Sequence, residues 1–413
     1  MVATAPTSTA TGARYRAVRS ATEALAEPLS AEDQTVQSMA DVSPTKWHRA
    51  HVTWFFETFL LAEHVPGYRP FHPMFGYLFN SYYEALGARH PRPDRGLLSR
   101  PSVEEVAAYR RHVDEAMGEL FGGDLEGEIG ERVELGLNHE QQHQELLLMD
   151  IKHVLSQNPL RPAYAPAVPA PTPTAPPPGW LAHPGGLVEV GEEAACFTFD
   201  NERPRHLVQL APFALCSRPV LCGEWLEFIA DGGYERPELW LSDGWAAVTA
   251  EGRRGPLYWS AADGGAVVFT LTGERPVDPA EPVCHVSYYE ADAFARWSGA
   301  RLPTEVEWEA VARAEGFASA PRAAAALHPA APSSPGGAGE VWEWTSSAYL
   351  PYPGFRVAPG AVGEYNGKFM VNQHVLRGGC CATPPGHERL TYRNFFPPGA
   401  RWAFCGLRLA RDC

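Results

Sequence analysis

Apolar positions recur at helical spacing through roughly the first 158 residues and break afterwards into short runs separated by Gly, Pro and Trp. Four helices are predicted in the first part. Arg14 to Leu29 is the first. The second starts near Ser43-Pro44, a capping residue followed by a first-turn proline, and runs through "TKWHRAHVTWFFETFLLAEH". The third opens at Ser102, where Glu105 completes a capping box, and reaches about Phe121. The fourth covers roughly Glu128 to Ser156, with Val133, Leu137, Leu146, Leu147 and Ile151 as its apolar positions. Helices of this length with short connections predict an up-down bundle, a fold in which metal sites are built from facing side chains. The longest connection, residues 65–101, is too long and too aromatic for a plain linker, and such loops often carry function.

A proline tract closes the helical part. "PLRPAYAPAVPAPTPTAPPP" holds nine prolines from Pro159 to Pro178, and proline denies a helix its backbone donor. The segment reads as extended polyproline II or disordered chain, able to span roughly 60 Å at about 3.1 Å per residue. The expected boundaries are a disordered tail over 1–12, a helical bundle over 13–158, a linker over 159–178 and a second domain over 179–413. Within the last, "RLPTEVEWE" marks a helix start, with Thr304 as cap and Glu307 completing the box.

Composition narrows the picture. At 413 residues, 45% hydrophobic and 20% charged, the chain suits a soluble protein with room for two domains. A net charge of −15 argues against a nucleic-acid or anionic-membrane partner, since both need a basic surface. The opening "MVATAPTSTATGARYRAVRS" has no apolar core of signal-peptide length, and no run of about 18 apolar residues occurs, so a cytoplasmic protein is expected. All eight cysteines lie from Cys196 onward without C-x-x-C spacing, and they read as reduced, mostly buried thiols.

Candidate chemistry sits in "LNHEQQHQELLLMD", Leu137 to Asp150. His139 and His143 are four apart and project from one helix face, so they can share a metal ion. On the second helix His48 and His51 are three apart, and either can meet the pair across the bundle. Three histidines with open positions suit a reactive Zn, Fe or Cu site, although an isolated H-x-x-x-H is also common among ordinary histidines. The same string reads as the H-E-x-x-H of zinc proteases, with Glu140 as general base. That reading lacks a further ligand: Leu146 and Met149 stand where the extended motif needs glycine and histidine, and the proline tract has no acidic residue. Glu140 is then expected to be a solvated helix residue.

"SPTKWHRAHVTWFFE", "YLFNSYYEALGARHPRPDRGLLSRP" and "NHEQQHQELLLMDIKH" resemble the DinB-like domain of the ergothioneine-biosynthesis sulfoxide synthases, the EgtB family. The resemblance implies non-heme Fe(II) held by His51, His139 and His143, with His48 structural. It implies a reaction that joins the thiol of cysteine to C2 of hercynine, a trimethylated histidine, with O2 as oxidant. Three neutral imidazoles leave Fe(II) room for thiolate, O2 and the substrate imidazole, and no carboxylate ligand or 2-oxoglutarate is called for. Tyr82 and Tyr83 are the implied proton donors. Arg92, with Arg89 and Arg95 behind it, offers a forked cation to the cysteine carboxylate. Gln142 would orient the substrate imidazole. From the second half, Asn394 would add a polar contact, and Phe395 and Phe396 faces for the quaternary ammonium.

"PVCHVSYYEADAFARWSGARLPTEVEWEAVAR", "GEVWEWTSS", "VLRGGCCATP", "TYRNFFPP" and "GLRLAR" resemble, in order, the formylglycine-generating-enzyme domain, a C-type-lectin-like fold. The fold class expected is α+β: an N-terminal DinB-like four-helix bundle followed by this C-terminal domain. Cys380 and Cys381 are adjacent, and neighbouring side chains rarely converge on one ion, so both are expected to be structural, as is Cys405. The "LFNSYYEA" and "YRNFFPP" strings look like the cysteine-using branch of the synthases. γ-Glutamylcysteine or a seleno-sugar as donor, and a zinc-dependent DinB-like thiol transferase, are the alternatives. The histidine-using ovothiol synthases usually carry a further methyltransferase, for which the chain offers no sequence.

Overall fold

The computed structural model describes residues 8–123, 125, 127–167, 175–193, 197–262, 264–319 and 327–413. Two units divide the chain. The first gathers everything up to Tyr164 together with the distant stretch Val357–Tyr365; the second takes most of the remainder, to Cys413.

Four long helices build the first unit: α1 (Ser8–Ala26), α2 (Thr45–Phe56), α3 (Val103–Leu120) and α4 (Glu128–Gln157). Periodicity and caps place them well. The Ser102–Glu105 capping box forms in both directions, at 3.2 Å and 2.6 Å. Two differences have physical reasons. Helix α1 starts at Ser8, inside the expected tail, because Ala and Thr residues there can propagate a helix already anchored further on; residues 1–7 lie outside the described residues. Ser43 does not cap α2. Its backbone N–H goes to Asp150 at 2.8 Å and its hydroxyl accepts from Arg95 at 2.9 Å, leaving Pro44 at the cap position.

Every residue of α2 is buried, and the helix packs against both α3 and α4. The approach to α4 is close. A Cβ added to Gly136 would meet Phe56 at 2.6 Å and Phe55 at 3.0 Å, so only glycine allows this separation. Beyond Phe56 the helix widens into a π-turn, Glu57–Leu61. The buried Glu57 carboxylate sits there as an acceptor for Tyr109 (2.7 Å), Tyr68 (2.8 Å) and the Phe71 backbone (3.0 Å), tying the 65–101 connection to the bundle. At the start of the proline tract, Tyr164 donates to the Leu25 carbonyl at 2.7 Å; residues 168–174 of the expected linker lie outside the described residues.

The second unit combines helices and short strands. In chain order its helices are α5 (Cys222–Ala230), α6 (Ser242–Glu251), α7 (Tyr288–Trp297) and α8 (Glu305–Glu315). Strands β1 (Trp180–His183), β2 (Phe213–Cys216) and β7 (Ala410–Asp412) form one antiparallel sheet, with β2 central. Strands β3 (Trp342–Ala348), β4 (His374–Arg377), β5 (Asn394–Phe396) and β6 (Cys405–Leu407) form another in the order β5-β4-β3-β6, with β3 and β6 parallel. Helix α8, capped by the expected Thr304–Glu307 box, lays Trp308, Val311 and Ala312 on Phe213 and Leu215 of the first sheet. Buried Arg–Glu pairs pin the loops: Arg408 to Glu343 at 2.7 Å, Arg393 to Glu305 at 2.8 Å, and Arg377 to Glu309. Cys380, Cys381 and Cys405 are buried in this framework without disulfides, and Cys196 lies outside the described residues.

Candidate metal centre

The histidine spacing does what helix geometry dictates. His139 and His143, one turn apart on α4, face His51 on α2, and the three rings lie with centroids 4.6–4.9 Å apart. One nitrogen from each falls within 4.8 Å of the others, among the described residues a grouping fit to hold a metal ion. His51 and His139 are buried and His143 half-buried.

The surroundings fix which nitrogens point inward. His51 Nδ1 lies 2.6 Å from the Phe79 carbonyl, an acceptor only, so Nδ1 carries the proton and Nε2 keeps its lone pair. That Nε2 stands 3.2 Å from His139 Nε2. His139 Nδ1 is buried with no hydrogen-bond partner, so nothing in the fold commits that ring to the other tautomer. Trp47 and Trp54 stack near-parallel to the His51 ring, at 4.6 Å and 5.5 Å. Burial pushes all three imidazoles down, His139 to about 3 and the other two well below 6.5, with the neighbouring histidines adding to the effect. All are therefore neutral at pH 7, the form that binds a cation. Three neutral donors within 4.8 Å of one another, one ring with a buried nitrogen that has no hydrogen-bond partner, suit a divalent transition metal.

His48, the other candidate on α2, stands outside this group. Its Nδ1 meets His143 Nδ1 at 2.8 Å and its Nε2 meets Asp150 Oδ2 at 3.0 Å. Glu140 differs from expectation. It is wholly buried, receiving Thr22 Oγ1 at 2.7 Å, Arg19 at 3.0 Å and Arg110 at 3.1 Å. Burial works against its carboxylate, yet the two guanidiniums hold it at about 2. A carboxylate so occupied is a structural anchor, not a general base.

The remaining predicted residues divide. Gln142, half-buried, accepts a hydrogen bond from the hydroxyl of Tyr365, a residue the sequence reading passed over. Tyr365 arrives in the first unit with Val357–Tyr365, and its ring meets that of His139 edge-on at 5.6 Å. Tyr82 lies edge-on to Tyr365 at 6.3 Å and stacks on Tyr83 at 4.6 Å. Tyr83 is fully buried against Trp54 and Phe59. Arg89 is half-buried and paired with Glu84 at 2.7 Å; Arg92 is exposed and donates to the Asp41 carbonyl. Arg95 is not available to a substrate. It is buried, bonded to Ser43 (2.9 Å) and Ser81 (3.2 Å), with its guanidinium 3.4 Å from the Trp47 ring centroid. In the second unit Asn394, Phe395 and Phe396 form edge strand β5, all half-buried, with Phe395 stacked on Tyr349 at 4.0 Å.

Comparison with known proteins matches the chain to two family models. A model described as the DinB superfamily matches residues 14–147, and one described as a sulfatase-modifying factor enzyme 1-like domain matches 165–330 and 336–413. The chain is 34% identical to the hercynine oxygenase of Mycolicibacterium smegmatis, over 90% of this chain and 91% of that protein. It is 33% identical to the hercynine oxygenase of Mycobacterium tuberculosis, with the same coverage. Ergothioneine biosynthesis protein 1 of Schizosaccharomyces pombe is 28% identical over 54% of this chain and 28% of its own length. No helix among the described residues is long and apolar enough to cross a membrane.

Proposed function

Because this chain belongs to the hercynine oxygenase family, we propose that it is an iron(II)- and O2-dependent sulfoxide synthase that joins cysteine to C2 of hercynine. The observation that carries this reading is the convergence of His51, His139 and His143, all neutral and all from two buried helix faces. Iron held by these three imidazoles and no carboxylate would supply a redox-active ion with open positions, the electrons taken up by O2 coming from the substrates themselves, through formation of the C–S bond and oxidation of its sulfur.

The chain's own residues do the rest. Trp47 and Trp54 keep the His51 ring from turning and keep water from its faces. Tyr365 Oη holds the proton that reduction of O2 consumes, since its ring is the phenol packed on a ligand histidine. Tyr82, edge-on to Tyr365, backs that ring; Tyr83, walled in by Trp54 and Phe59, supports the pocket wall. Gln142 is oriented through the hydroxyl of Tyr365 and presents a polar group to the substrate imidazole one residue from His143. Arg89 and Arg92 offer forked donors to the carboxylate of the thiol substrate, which must compete with Glu84 for Arg89.

The test is a donor screen. Anaerobic protein with Fe(II) and hercynine is mixed with cysteine, γ-glutamylcysteine or a seleno-sugar, then exposed to O2, and products are read by mass spectrometry. A coupled hercynine–cysteine sulfoxide is expected. Coupling to another donor alone would reassign the branch. Zinc in the isolated protein with no O2 uptake would replace the oxidative reading by thiol transfer.

A further inference from the structure

His48 and Asp150 are absent from the ligand group, yet the geometry gives them a defined task. Asp150 follows His143 by seven residues on α4, two turns along the same face, and its Oδ2 already accepts the Ser43 backbone N–H at 2.8 Å. An ionised carboxylate only accepts, so the His48 nitrogen 3.0 Å from Oδ2 must carry a hydrogen. With that hydrogen on Nε2, Nδ1 is the ring atom of His48 left to accept. That atom is 2.8 Å from His143 Nδ1, which must therefore be the donor. With its proton on Nδ1, His143 is left with a lone pair on Nε2. Every hydrogen is assigned by the one before it, starting from a carboxylate fixed to the backbone.

We propose that Asp150 and His48 form a relay that locks His143 in its Nε2-ligating tautomer and orients that ring toward His51 and His139. His48 is thus a positioning residue, acting through His143. The proposal rests on the reading of the triad as a metal centre. It also explains why a histidine is suited to position 48: an imidazole can donate at one edge to Asp150 and accept at the other from His143, bridging two residues of α4 from α2. Supports of this kind typically change metal affinity about 10–100-fold.

Two readouts test it without turnover. In metal-free protein carrying 15N-labelled histidine, long-range NMR should show His143 protonated at Nδ1; protonation at Nε2 overturns the relay. Co(II) affinity is then measured by competition with a chelator for the wild type, His48→Phe, His48→Asn and His51→Ala. His48→Phe should lose affinity about 10–100-fold. His48→Asn, whose amide oxygen can replace Nδ1 as acceptor, should recover most of the loss, which a mere packing role would not produce. Wild-type affinity in His48→Phe, or no recovery in His48→Asn, overturns the relay while the metal centre stands. Unchanged affinity in His51→Ala overturns the metal centre itself, and the relay with it.

Discussion

Glu140→Gln separates the two chemistries that the H-E-x-x-H spacing suggests. In a hydrolytic site the glutamate acts on water, and its amide variant keeps its stability while losing activity. Here the carboxylate holds Arg19, Arg110 and Thr22 in a buried network, and the amide leaves two guanidiniums without their shared counter-charge. Removing one partner of a buried pair costs about 3–5 kcal/mol; Gln retains one acceptor, and Arg19 and Arg110 keep Asp114 and Glu23, so the low end applies. The pKa gives the same size: holding the carboxyl at about 2 instead of 4.5 is worth about 3 kcal/mol. For a unit of this size that is a fall in Tm of roughly 6–12 °C. Because the folded pKa is depressed, this stability is complete above pH 4.5 and lost as pH falls toward 2. The gap between wild type and variant should thus be widest at neutral pH and close on acidification through that window. Thermal unfolding of metal-free protein across pH measures it, and metal stoichiometry should be unchanged in the variant. A Glu140→Gln protein that melts with the wild type but has lost all activity would refute the anchor argument.

Three further outcomes are expected. Tyr365→Phe should keep O2 uptake but shift product from coupled sulfoxide toward simple thiol oxidation, whereas Tyr82→Phe should change the ratio less; equal ratios in both, by mass spectrometry, would remove Tyr365 as proton donor. His51→Ala should abolish turnover and most iron binding while circular dichroism stays helical, and retained iron would take it out of the ligand set. Gly136→Ala should destabilise by about 1–3 kcal/mol, since its new Cβ lands 2.6 Å from Phe56, and a Tm equal to wild type would show that α2 and α4 separate freely.

Much of this was readable from local pattern. The Ser102 and Thr304 boxes, the helices from α2 to α4 and the His139–His143 pair follow from spacings of three and four. What spacing could not decide was between His48 and His51. Both are buried on one face of α2, and only the contacts with Phe79 and Asp150 distinguish the ring that faces His139 from the one that backs His143. Glu140 reads as solvated because Arg19 lies 121 residues away, and pairings of that span leave no periodic trace. Tyr365 is harder still: it is 223 residues from Gln142, in a stretch without helical pattern. Arg95 is expected behind Arg92 as a cation for the substrate carboxylate, and the contacts that bury it are not visible in its string. Stacking on Trp47 and bonds to the hydroxyls of Ser43 and Ser81 draw it inward.

The return of Val357–Tyr365 to the helical unit limits how such proteins can be rebuilt. A chimera joined at the proline tract, with a foreign C-terminal half, would inherit all three histidines and lose the phenol beside them. On the function proposed above, recombination by whole modules would keep the metal ligands and lose the proton donor. A crossover that spares the nine-residue stretch Val357–Tyr365 would keep both.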